Sequence, residues 1–273
     1  MAAPEVKAAI DVRPTERQLR AQEIAAEMIQ QRYERWTRYQ YTQIFAGMRG
    51  AIVELDHIPD DTELQTILAR YRTVQESTLS RLFLNIYPHA RDLVQTESDR
   101  KALRRMTETK EDGLTLEQQM LLQWISTNLR MSVEFINRTT LDLVEEIRLS
   151  STDTVDFMRR LQESGAFSQS RARMIAVTQT NQAVNSAISE AATQAARGRR
   201  MVKTWRTSGR TNVRDTHRMM RGVTIPADEL YQVPRRDGGI DLMAYPGDTA
   251  HGASPGNVIN CHCKSFPRLA EYE

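Results

Sequence analysis

Cys261 and Cys263 stand two residues apart near the end of a 273-residue chain. Three of its five histidines, His217, His251 and His262, fall in the same last seventy residues. Thiols and imidazoles can bind a soft metal, act as nucleophile and base, or pack as small buried groups. In an extended segment side chains alternate, so Cys261 and Cys263 point to one side and His262 to the other. With His217 or His251 arriving from elsewhere, the two thiolates would form most of a tetrahedral zinc shell. Zinc signatures usually show two separated ligand pairs, and this chain has one tight pair. A disulfide between such close neighbours would strain its geometry.

A hydrolase or nuclease would use His217 as general base with Asp215 or Asp248, or Cys261 as nucleophile. Asp215 is two residues from His217 and would not share its helix face. The sequence has no His-Glu-x-x-His, Gly-x-Ser-x-Gly or phosphate-binding glycine loop. No catalytic residue is therefore assigned, and the chain is expected not to be an enzyme. Tyr245-Pro246-Gly247-Asp248 reads as turn chemistry, with proline fixing φ and glycine left-handed. Asp248 would cap the following loop or meet an arginine.

Beside these groups lies a basic block. Arg197, Arg199, Arg200, Lys203, Arg206, Arg210, Arg214, Arg218 and Arg221 enclose a single acid, Asp215. The net charge is only +2, so the block makes a local positive field rather than a polycation. Thr211-Asn212 is expected to cap a short helix ended by a left-handed Gly222. Arg214, His217, Arg218 and Arg221 would share a face of it. That face fits a solvated surface, a phosphate contact or part of a site around His217. Forked guanidinium donors match phosphate oxygens, and the lack of interleaved aromatics argues against base stacking. The candidate phosphate contacts are Arg199, Arg200, Lys203, Arg206, Arg210, Arg214, Arg218 and Arg221.

The rest of the chain reads as helix, giving a mainly α fold. The predicted elements are long N-terminal helices in an antiparallel hairpin or bundle and a small C-terminal α+β module. Residues 1–150 form the helical region and 151–273 the module. After a frayed stretch at 1–13, a helix starts near Pro14-Thr15-Glu16. Its apolar stripe includes Ile24, Met28, Trp36, Tyr41, Ile44, Phe45, Met48 and Ile52, and His57-Ile58-Pro59 ends it. Asp60-x-x-Glu63 caps a second helix that Pro88 breaks or kinks. A polar helix is expected at 91–108. Thr115-x-x-Gln118 then caps a third long helix bearing Met120, Leu121, Trp124, Ile125, Leu129 and Ile136. A short helix at 153–163 and an alanine-rich one from about 168 to 196 follow. Past residue 200, glycine and proline become frequent, and short strands with one short helix are expected. No run approaches the ~20 apolar residues of a membrane span, mean hydropathy is −0.54, and the early charge at Glu5 leaves no signal core. The expected setting is intracellular, without a membrane.

Taken in order, these residues resemble a known family. Arg171-Ala172-x-x-Ile175-Ala176-x-Thr178-x-Thr180, Asn185 and Ala187 come first. Trp205, Val213-Arg214-x-x-His217, Gly222, Pro246-Gly247-Asp248 and Ile259-Asn260-Cys261-x-Cys263 follow. The last two-fifths of the chain is similar to the phage Mu F-like head morphogenesis proteins. Two departures stand out. The family usually has arginine and glutamate where this chain has Val177 and Gln179, and arginine where His262 stands. The resemblance implies a minor head protein of a tailed phage, low in copy number and associated with the portal. It would assist head assembly and DNA packaging or ejection. The implied partners are the portal, capsid or scaffold proteins, packaged double-stranded DNA through phosphate contacts, and further copies of the chain. The implied location is the virion interior, after host cytoplasm during assembly. No toxin domain is expected after Glu273. The competing readings are the metal-dependent hydrolase and a non-viral nucleic-acid-binding protein with a helical oligomerisation arm.

Overall fold

The computed structural model describes residues 16–94, 116–196 and 198–270. The expectations for residues 1–13, 95–108, Gly113, Thr115 and Arg197 lie outside the described residues, as do the side chains of Met120, Leu121, Trp124 and Ile125. Three long helices come first: α1 (Glu16–Val53), α2 (Asp61–Val94) and α3 (Leu116–Ser150). The short α4 (Thr154–Glu163), a 3₁₀ turn (Gly165–Phe167) and α5 (Gln169–Ala196) follow. The remainder holds β1 (Met201–Arg206), α6 (Asp215–Met219), β2 (Thr224–Pro226), β3 (Tyr231–Pro234), β4 (Ile240–Met243), α7 (Pro255–Val258) and β5 (Lys264–Leu269). The fold is mainly α with long N-terminal helices and a small strand-containing C-terminal module, as the pattern predicts. No helix among the described residues is long and apolar enough to cross a membrane.

Local signals set the helix ends. The Asp60 carboxylate accepts from the Glu63 amide at 2.8 Å, and Glu63 accepts from the Asp60 amide at 2.9 Å, a reciprocal capping box. Asp153 caps α4 by accepting from the Asp156 amide. Two expectations are corrected. Helix α2 runs through Pro88 to Val94, so proline does not end it and residues 91–94 belong to it. Helix α6 starts at Asp215 rather than at Thr211-Asn212, with Arg214 at the cap position making no side-chain capping bond.

The core gathers around α5. Tyr41, Phe45 and Met48 of α1, Leu79, Leu82, Phe83 and Ile86 of α2, and Val133 and Ile136 of α3 bury against Ala183, Val184, Ala187, Ile188 and Ala191. Helix α5 is buried on almost every side. Its alanines, threonines, asparagines and glutamines are small or can bond to neighbours, which lets other elements approach closely all round. One flank meets α1 and α2, and another meets β5 of the module. Arg171 clamps the near end. Buried beneath the Phe45 ring, it donates to Ala166 O, Ile136 O and Thr139 Oγ1, and burial lowers its pKa to about 10.

The stripe expected on α1 holds only in its C-terminal half. Ile24 is 55% and Met28 66% exposed, while Ala26, Gln30 and Thr37 are buried. This stretch faces the polar edge of the module, so apolar periodicity does not mark its inner face.

In the module, β1 lies at the centre of an antiparallel sheet of order β2-β1-β5, and β3-β4 form a hairpin. A second apolar cluster, with Trp205, Tyr231, Val233, Met243 and Val258, includes Cys261 and Cys263.

Candidate metal centre

Trp205 on β1 anchors the site. Its amide donates to Val223 O at 2.9 Å, and its carbonyl accepts from Gly222 N at 2.8 Å. Gly222 is left-handed at φ 82°, a conformation that favours glycine, and it turns the chain after α6 back onto β1. This stitch lays His217 beneath Trp205, with ring centroids 5.4 Å apart and an edge-to-face angle of 77°. Tyr231 packs on the indole at 5.2 Å.

The cysteines arrive from the other side. Asn260 is left-handed at φ 54°, which asparagine tolerates, and its amide donates to Thr178 Oγ1 of α5 at 3.1 Å. From that turn both Cys261 and Cys263 enter the core. Each Sγ lies 3.6 Å from His217 Nδ1. All three residues are buried, at no more than 2% exposure. Their ligand atoms lie within 4.8 Å of one another, the one such His/Cys/Asp/Glu group among the described residues. Hydrogen bonding from Cys263 and from His217 pulls the Cys261 thiol well below the ordinary range despite burial. The same bond, with burial and the Cys261 charge, pushes Cys263 up.

The remaining candidates go elsewhere. His251 does not join the cluster; its Nδ1 lies 2.5 Å from the buried Asp248 carboxylate. Asp248 also accepts from Ala244 N and Ala250 N, so it caps its own loop and is not a partner for His217. His262 faces α1, with Nδ1 2.9 Å from Gln30 Nε2 and Nε2 3.2 Å from Arg210. Burial, then the Arg210 and Lys264 charges, lowers its pKa to about 4.

Much of the basic block is spent inside the molecule. Lys203 is 3% exposed; its ammonium donates to Ala227 O and lies over the Tyr231 ring, so it cannot reach a phosphate. Arg206 pairs with Glu23 and Arg210 with Glu27, both on α1. Arg214 donates to Ile259 O, and Arg199 bonds the last carbonyls of α5 at Ala195 and Ala196. The shared face is also corrected: His217 points inward while Arg218 and Arg221 are exposed. A five-residue helix docked on a sheet has one buried side, and His217 takes it.

Sequence reasoning missed the seam between α5 and the module. Asn185 Nδ2 donates to Pro246 O at 2.9 Å and Cys263 O at 3.0 Å, while its Oδ1 accepts from Ser265 N at 3.0 Å. The fully buried Lys264 ammonium donates to Gln30 Oε1 and Asn181 Oδ1. Gln182 Nε2 donates to Thr249 Oγ1. A Cβ on Gly247, φ 89°, would sit 3.3 Å from Asn181 Nδ2, so the Pro-Gly-Asp loop lies directly against α5. The visible signal was the pairing of Asn185 with Pro246-Gly247-Asp248 among the residues that carry the resemblance. A groove of about 890 Å³ runs between α3, α5 and the turn at Ile259, Asn260 and His262.

This arrangement of α5, Trp205, the inward histidine and the Cys-x-Cys turn spans residues that match a family model. The model is described as Phage Mu protein F like protein and covers residues 151–266. Those residues are similar to the phage Mu F-like family. A 152-residue stretch, 54% of this chain, is 27% identical to the uncharacterized protein YqbB of Bacillus subtilis (strain 168). The match covers 48% of that relative, so the chain spans about half its length. No solved structure matches the chain.

Proposed function

We propose that the chain is a minor head protein of a tailed bacteriophage, assembling with the portal inside the head and assisting DNA packaging or ejection. The match of residues 151–266 to the F-like family carries this reading. The helices supply surface for partners: Ile24, Met28 and Tyr39 on α1, and Met131 and Phe135 on α3, are large apolar residues at least 44% exposed. Amphipathic helices with such anchors suit docking against portal, capsid or scaffold helices, or a further copy of the chain. Packaged duplex DNA would meet the exposed cations Arg200, Arg218 and Arg221, which contact phosphate without reading sequence. The location that follows is the virion interior, after host cytoplasm during assembly.

Co-expression with the portal protein encoded by the same phage tests the reading. The chain should co-purify with assembled portal rings through affinity and sizing steps. Elution wholly apart from portal, capsid and scaffold proteins would refute the assembly role. For the DNA contact, Arg200→Glu, Arg218→Glu and Arg221→Glu together should remove duplex binding that weakens steeply with salt. Unchanged binding would refute that assignment.

A further inference from the structure

We propose that His217 Nδ1, Cys261 Sγ and Cys263 Sγ hold a zinc ion, which ties α6 to the turn leading into β5. The geometry carries this inference, which stands independently of the head-protein reading. Zinc–sulfur and zinc–nitrogen bonds of ~2.3 and ~2.05 Å at the tetrahedral angle separate sulfur and nitrogen by ~3.6 Å. Both Nδ1–Sγ distances are 3.6 Å. One nitrogen equidistant from two sulfurs is what a shared ion at the centre of the three would impose. A lone hydrogen bond has one proton to direct and favours one sulfur.

Charge balance agrees. Each thiol loses a proton when it binds, so two thiolates and one divalent cation form a neutral unit. A neutral unit can lie among Trp205, Tyr231, Met243 and Val258 without leaving a bare charge in an apolar core. Thiolate and imidazole together select zinc over calcium or magnesium, which prefer oxygen. Among the described residues no fourth His, Cys, Asp or Glu joins the group. The role is structural. None of the three ligands lines the large groove, so a substrate there would not touch the ion. The bond would close a loop from His217 to Cys263 in a module whose strands are only three to six residues long.

The test uses the full chain unfolded, stripped of metal, and refolded with excess zinc or cobalt(II). Elemental analysis should find one zinc per chain, and the cobalt form should show thiolate-to-cobalt charge-transfer absorption. His251→Ala should keep the full metal content, and Cys261→Ser should lower it at least several-fold. Zinc well below one per chain in the wild type would overturn the proposal, as would a cobalt spectrum without the thiolate band. Since both readings come from the wild-type chain, a misfolded variant cannot rescue the idea.

Discussion

The helical layer and the strand-containing C-terminal module are held by different physics. Where α1 and α2 meet α5, the contacts are mainly apolar, with Phe45, Leu82, Phe83 and Ile86 closing on a column of alanines. Where α5 meets the module, the contacts are polar and directional. Asn185 and Asn181 satisfy backbone groups of the Pro246 loop and of β5, and Lys264 is buried between α1 and α5. Apolar packing tolerates exchange among side chains of similar volume, while a buried hydrogen-bond hub does not. One helix thus presents a forgiving flank and an exacting one.

The largest expected effect is at the exacting flank. Asn185→Leu keeps a similar volume but strands Cys263 O and Ser265 N and leaves Pro246 O only the longer bond from Asn181, and should cost about 3 kcal/mol in urea unfolding. Leu82→Met at the forgiving flank should cost less than about 1.5 kcal/mol in the same assay. Equal losses would erase the distinction between the flanks.

The same contrast explains what the sequence made legible. Helices α2 and α5, the capping box at Asp60 and Glu63, and the left-handed Gly222 were readable because each is written in neighbouring residues. The inner face of α1 near Gln30 was not, because its partners are His262, Lys264, Arg206 and Arg210, far along the chain. The arginine block looked like one surface for a similar reason. Spacing gives the face of a residue on its own helix, whereas Glu23 and Glu27 decide which arginines are consumed. The meeting of His217 with the two cysteines was only one of several pairings open to the sequence. The stitch from Gly222 to Trp205 brings them together.

Smaller effects sharpen the picture. Arg206→Ala and Arg210→Ala should each cost about 0.5–1 kcal/mol, less at high salt, because both pairs are partly exposed. Arg218→Ala, at the solvent face, should leave the urea midpoint nearly unchanged.

A pH slope tests the seam in a different way. His262 is held neutral, its pKa lowered from 6.5 to about 4 by burial and then by Arg210 and Lys264. The unfolded chain takes up this proton near pH 6.5 and the folded chain only near pH 4. The contribution is therefore complete above the higher value and is lost as pH falls between the two. His262→Gln should lose less stability than the wild type between about pH 7 and about pH 5. An identical slope would show that His262 does not sense acid at this seam.

The head-protein role itself is tested most directly by quantitative mass spectrometry of nuclease-treated, gradient-purified particles made by the phage that encodes the chain. Peptides from residues 198–270 should occur at a fixed low ratio to the major capsid protein. Their abundance in the lysate but absence from particles at every assembly stage would contradict that role.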